Sequence, residues 1–122
     1  MYVSSITASF AAAHFLRNYG GKCENLHGHN WRIEVRAECT DLDEAGMGMD
    51  FTVLRRETDK VLASLDHTVL NELPTFGELN PSSENIARHI FTELEGLVND
   101  GRVKIRKVRA WESDTSWAEY RP

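Results

Sequence analysis

Between Leu26 and Thr40 the chain alternates cleanly: Trp31, Ile33, Val35 and Ala37 hold one parity, and Arg32, Glu34, Arg36 and Glu38 the other. A period of two marks a strand with one dry and one wet face. It also pins the register, because a slip of one residue would carry the whole apolar set into water. Any fold of this chain must therefore cover one face of a sheet. His27 and His29 share the parity of Trp31 and Ile33, so an unbroken strand turns both imidazoles toward the covered side. Inward histidines need partners, which a metal ion would supply. Gly28 between them lets another backbone or a ligand come close. A third histidine alongside would complete a three-histidine set with an open fourth position, the donor arrangement of catalytic zinc.

Spacing does not fix that third histidine. His14 ends the run Phe10-Ala11-Ala12-Ala13-His14, and residues 2–13 read as a strand from the imperfect alternation of Val3, Ile6, Ala8, Phe10 and Ala12. An antiparallel hairpin would set His14 beside the pair, with His67 and His89 as the other choices. Cys23 follows Gly20-Gly21-Lys22 and precedes His27 by four residues, where a nearby cation favours its thiolate. It is a candidate base, nucleophile or ligand. Cys39 reads as a small half-buried apolar residue. With no signal-like segment in view, both thiols are expected free, in the cytoplasm.

Asp50 is placed to cap a helix in which Phe51, Leu54, Thr58, Val61, Leu62 and Leu65 recur at mostly three- and four-residue steps, ending at Leu65-Asp66-His67. Residues 66–80, with Pro74 and Gly77, read as an irregular connection. Ser82 or Ser83 caps a second helix whose stripe is Ile86, Ile90, Leu94, Leu97 and Val98, with Gly101 just past its end. His89 lies beside that stripe and reads as a packing or surface residue. Residues 103–112 alternate out of phase, which predicts a bulge near Arg106 or Lys107, and Asp114-Thr115 turns the chain into a last strand through Trp117 and Tyr120. The order β-β-α-α-β-β predicts an α+β fold: an antiparallel four-stranded sheet with both helices on one face. Its two open edges invite pairing between copies, and a closed ring of sheets would remove them.

The chain of 122 residues has the length of one domain, 1–122. A net charge of −5, with its one basic cluster at Lys104, Arg106, Lys107 and Arg109, argues against a nucleic-acid partner. No apolar run reaches the ~18 residues of a membrane span. Asp66-His67 offers a carboxylate and an imidazole as a proton-transfer pair, a reading weighed against plain termination of the helix. Glu112, amid Trp111, Ser113 and Trp117, can accept paired N–H donors from a guanidine-like ring edge.

Taken in order, Phe10-x-x-x-His14, Cys23-x-x-x-His27-Gly28-His29, Gly48-Met49-Asp50-Phe51, Leu65-Asp66-His67-x-x-Leu70-Asn71, Asn80-Pro81-Ser82-Ser83-Glu84-Asn85 and Glu112-Ser113 resemble the 6-pyruvoyltetrahydropterin synthase family over nearly the whole chain. Within that family, Cys-x-x-x-His-Gly-His is similar to the bacterial 6-carboxytetrahydropterin synthase branch of queuosine biosynthesis. The animal pyruvoyl enzymes share much of the pattern, and the presence of Cys23 argues against a further branch that carries glutamate there.

The resemblance implies a tunnelling fold, in which subunits ring into a trimeric β-barrel and two trimers stack as a homohexamer with active sites between subunits. It implies Zn2+ held by His14, His27 and His29, and Cys23 as the proton-transferring base. Asp66 and His67 would reach in from a neighbouring subunit, and Glu112 would anchor the pterin ring. Ser113 and Ser82 stand where the family usually has threonine, a departure that keeps the hydroxyl. The implied activity is a zinc-dependent lyase that takes 7,8-dihydroneopterin triphosphate to 6-carboxy-5,6,7,8-tetrahydropterin, acetaldehyde and triphosphate, with no redox cofactor. Pyruvoyl formation and a non-catalytic zinc or pterin-binding module are the alternatives. Lys22, Arg17 and Arg109 are candidates to receive the triphosphate.

Overall fold

The alternating first half of the chain becomes a long two-strand ribbon. In the computed structural model, which describes residues 1–122, β1 (Tyr2–His14) and β2 (His27–Cys39) pair antiparallel in one unbroken register, from Tyr2 opposite Cys39 to His14 opposite His27. Odd residues of β2 are inward as the parity requires: Trp31, Ile33 and Val35 are fully buried. Cys39 is buried rather than half-buried, and both cysteines are free thiols.

Two helices cover that face. The carboxylate of Asp50 accepts the Thr52 N–H at 2.8 Å and starts α1 (Phe51–Ala63). The Ser82 hydroxyl accepts the Asn85 N–H at 3.2 Å and starts α2 (Ser83–Val98). Leu54, Val61, Leu62, Ile86, Ile90 and Leu94 join the sheet residues in one hydrophobic core. Phe51 and Leu97, expected in the apolar stripes, sit in the terminal turns of their helices and stay exposed. No helix is long and apolar enough to cross a membrane.

The second half of the sheet is β4 (Val103–Ser113), paired with β2, and β5 (Ser116–Tyr120), paired with β4. Arg36 faces Lys107 while Ala37 faces Ile105, so Arg106 is the extra residue of a bulge, where the slip in phase points. That slip keeps Val103 and Ile105 on one side of it, and Val108 and Ala110 on the other, buried against the same core.

One expectation is corrected. The sheet has five strands rather than four: with β3 at Thr68–Val69 the order is β3-β1-β2-β4-β5, and it is not wholly antiparallel. Strand β3 (Thr68–Val69) runs parallel to β1, with Thr68 opposite Ala12 and Val69 opposite Ala13. Two residues are too few to show a period, so the strand is invisible in the sequence. What creates it is a pin just before it: Ala11 donates its N–H to Asp66 Oδ1 at 2.9 Å, and its carbonyl accepts the His67 N–H at 2.6 Å. His67 takes a left-handed φ of 58° to make that turn. The connection that follows is ordered by single 3-10 turns, Leu70–Glu72 and Pro74–Phe76, which bury Leu70 and Phe76 completely.

Candidate metal centre and active site

The β1/β2 register ends where the chemistry begins. His14 lies opposite His27 and Ala12 opposite His29, and their parity puts all three imidazoles on the inner side. Ring centroids are 4.5 Å apart for His14 and His27, 4.9 Å for His27 and His29, and 5.3 Å for His14 and His29. Two backbone carbonyls orient the rings: Pro81 O lies 2.7 Å from His14 Nδ1, and Asn25 O lies 2.7 Å from His27 Nδ1. A carbonyl can only accept, so each Nδ1 carries the proton and each Nε2 keeps its lone pair.

The lone pair of His14 Nε2 has nothing in the chain to bond. His14 Nε2 and His29 Nε2 are buried and without a hydrogen-bond partner. Glu112 Oε1 comes within 3.3 Å of the first and 3.2 Å of the second, but not in hydrogen-bond geometry. Burial holds the pKa of His14 and of His29 below the ordinary histidine value, Glu112 opposing it more weakly, which favours the neutral, donating form. Ligand atoms of His14, His27, His29 and Glu112 all lie within 4.8 Å of one another. Orphaned imidazole nitrogens beside a carboxylate are a donor set that fits a divalent ion of borderline softness, zinc among them. The sequence reading placed Glu112 against a substrate ring and missed its proximity to the histidines.

Beside the cluster is a cavity of about 230 Å³, lined by His14, Leu16, Ser82, Ser83, Glu112 and Trp117 among others. It sits at the N-terminal end of α2, where first-turn N–H groups lack helical partners. In the sequence Ser82 and Ser83 show only their capping role, and Trp117 only its strand. A larger cavity, about 480 Å³ between α1 and α2, lies elsewhere, lined by Val61, Leu65, Leu73 and His89 among others. His89, read as a packing or surface residue, packs edge-on against Phe76 at 5.7 Å.

Cys23 is outside the four-residue cluster. It is half-buried on the single 3-10 turn Lys22–Glu24, and its carbonyl accepts the Leu16 N–H at 2.7 Å. Asp66 and His67 form a pair, Oδ2 to Nδ1 2.8 Å, with the His67 side chain 82% exposed. The Ala11 N–H, and after it His67, hold the Asp66 carboxyl below its usual range. His67 borders a shallow groove whose lining includes Ala11, Ala12, Ala13, Gly28 and His29. The pair is pinned beside the β1 edge of the sheet and is not part of the four-residue cluster. Arg17 and Arg109 are engaged: the Arg17 guanidinium donates to the carbonyl of Phe76 at 2.8 Å, and Arg109 donates to Glu119 at 2.9 Å while stacking on Trp117 at 3.7 Å. Lys22 is exposed.

A family model described as 6-pyruvoyl tetrahydropterin synthase matches residues 4–122. The 6-carboxy-5,6,7,8-tetrahydropterin synthase of Synechocystis sp. is 40% identical over 117 residues, which span 92% of this chain and 87% of that one. Dihydroneopterin monophosphate aldolase of Pyrococcus furiosus is 36% identical over 107 residues, 88% of this chain and 86% of that one. The solved 6-pyruvoyl tetrahydropterin synthase of Caenorhabditis elegans superposes with a TM-score of 0.88 at 27% identity, covering 99% of this chain and 95% of its own. Since the family match leaves out only residues 1–3, the chain belongs to the 6-pyruvoyl tetrahydropterin synthase family.

Proposed function

We propose that this protein is a zinc-dependent lyase of queuosine biosynthesis, converting 7,8-dihydroneopterin triphosphate to 6-carboxy-5,6,7,8-tetrahydropterin, acetaldehyde and triphosphate. The observation that carries the reading is the convergence of His14, His27 and His29, two of them with orphaned Nε2 atoms, on Glu112, beside a pocket lined by His14 and Glu112. The product is supported by the Synechocystis relative that bears that name.

In this reading His14, His27 and His29 hold the ion, and Zn2+ supplies Lewis acidity toward the hydroxylated substrate side chain when bound. Glu112 accepts two N–H groups from the guanidine-like edge of the pterin, a charge-assisted bidentate contact that fixes the ring in the pocket. Trp117 walls the same cavity. Cys23, as thiolate, removes a proton from the side chain, and His67 carries protons between side-chain carbons while Asp66 fixes its ring. Lys22 is the remaining candidate for the triphosphate. Asp66 and His67 are outside the cluster of their own chain and, in this reading, serve the site of a neighbouring subunit. The two sheet edges, most of β1 and all of β5, are free to pair between copies. The unit is then one domain of a cytoplasmic homohexamer, a dimer of trimers.

The family contains other outcomes on one scaffold, and the Pyrococcus aldolase and the Caenorhabditis pyruvoyl enzyme favour a second reading: the same first proton removal followed by a different bond cleavage. Mass spectrometry of the products from zinc-loaded protein and 7,8-dihydroneopterin triphosphate separates them. 6-Carboxytetrahydropterin with acetaldehyde is the expected result. Pyruvoyltetrahydropterin, or simple side-chain cleavage, would replace the reaction while keeping the site, and unchanged substrate would leave a binding module.

A further inference from the structure

Past His14 the β1/β2 ladder stops, yet the chain runs on through Phe15, Leu16 and Arg17. A continued register would set Leu16 against Asn25. Instead the Leu16 N–H reaches back to the Cys23 carbonyl at 2.7 Å, and the residues on either side of it are gripped by side chains. Asn71 accepts the Phe15 N–H at 3.0 Å and donates to the Phe15 carbonyl at 2.9 Å. Asn80 repeats the arrangement on Arg17, accepting its N–H at 2.9 Å and donating to its carbonyl at 3.0 Å. Each primary amide thus closes a two-point ring with one residue's backbone, as a neighbouring strand would.

The clamps are themselves braced. Asn71 is buried, and the Asn80 carbonyl accepts from Asn85 Nδ2 at 2.9 Å. One residue beyond Asn80, the Pro81 carbonyl takes the His14 Nδ1–H. The connection between β3 and α2 therefore fixes residues 14, 15 and 17, and residue 16 is left to hold Cys23.

Cys23 needs such an anchor. It rides on one 3-10 turn with no side-chain cap at Gly21, next to Gly20 at a positive φ of 77°. Single 3-10 turns have little rigidity of their own, whereas a proton-transferring group must be placed to a fraction of an ångström. We propose that Asn71 and Asn80 are positioning residues for Cys23, acting through Phe15, Arg17 and the Leu16 N–H. The proposal rests on the reading of Cys23 as the base.

Two variants of the full-length, zinc-loaded protein test it. Asn71→Asp keeps the acceptor for the Phe15 N–H and sets a carboxylate oxygen against the Phe15 carbonyl; Asn80→Ala removes the outer clamp. The readouts are zinc stoichiometry, kcat and KM with 7,8-dihydroneopterin triphosphate, and the rate at which iodoacetamide alkylates Cys23, followed by peptide mapping that separates it from buried Cys39. Expected are unchanged zinc, a kcat lower by about 10- to 100-fold with little change in KM, and a Cys23 alkylation rate altered several-fold. An unchanged alkylation rate overturns the proposal, whether kcat falls or not. Should Asn71→Asp fail to fold, Asn80→Ala alone decides. Full turnover by Cys23→Ser would instead sink the base reading, independently of either asparagine.

Discussion

His14 and His27 face each other across the last rung of the β1/β2 ladder, their rings 4.5 Å apart. No loop has to deliver the upstream histidine, because an unbroken antiparallel register carries it to the pair. In the proposed function each of the three histidines is then a full member of the donor set. Replacing His27 or His29 by alanine is expected to reduce zinc content from stoichiometric to near zero in a protein that keeps its circular dichroism, since two imidazoles are too few for a stable site. Retained stoichiometric zinc in either variant, measured by plasma mass spectrometry, would remove these residues from the ligand set.

Glu112 presents a sharper choice. Its Oε1 is within 3.3 Å of two imidazole nitrogens, whereas the proposed function gives it to the substrate ring. Glu112→Gln keeps the shape and one acceptor while removing the charge that strengthens a bidentate contact, an effect of roughly 1.5–3 kcal/mol. The expected outcome is retained zinc with substrate affinity weaker by about 10- to 100-fold. Zinc lost with the charge would make Glu112 a fourth ligand instead.

The parity of β2 and the hairpin made the histidine cluster legible, since period-two side chains have only two faces to choose from. The same logic located the Arg106 bulge from a break in phase. Other features left no periodic trace. Strand β3 is two residues long and exists because Asp66 and His67 are pinned to Ala11, a contact between residues 55 positions apart. The Glu112 contact with His14 and His29, and the pocket wall supplied by Trp117, depend on how β4 and β5 lie beside β2 and on the first turn of α2. Sequence local to those residues carries a strand signal and nothing more. Asn71 and Asn80 stood in recognisable motifs, but their work as surrogate strand partners is visible only once the backbone of Phe15 and Arg17 is in view.

Asp66 and His67 lie outside the cluster of three histidines and Glu112, and in the proposed assembly a complete site combines two chains. Cys23→Ala and His67→Ala should each be inactive alone. Mixed, dissociated and reassembled, they should recover activity in about a quarter of the sites, namely those joining an intact Cys23 on one subunit to an intact His67 on its neighbour. No recovery in mixed oligomers verified by native mass spectrometry would mean that each chain builds its own site.

Gly48 has no special dihedral to excuse it, only a lack of room. A Cβ at this position would lie 2.7 Å from Cys39 Sγ, and Cys39 is buried at the far end of the β1/β2 ribbon from the metal cluster. Either the sulfur or the turn before α1 must move, so Gly48→Ala should destabilise the fold by about 1–3 kcal/mol in urea unfolding. Removing the obstructing sulfur should relieve it: in a Cys39→Ala background the same substitution should cost well under half as much, a coupling that residues in direct contact show and distant ones do not. Equal costs in the two backgrounds would assign the glycine to the turn itself rather than to the packing against Cys39.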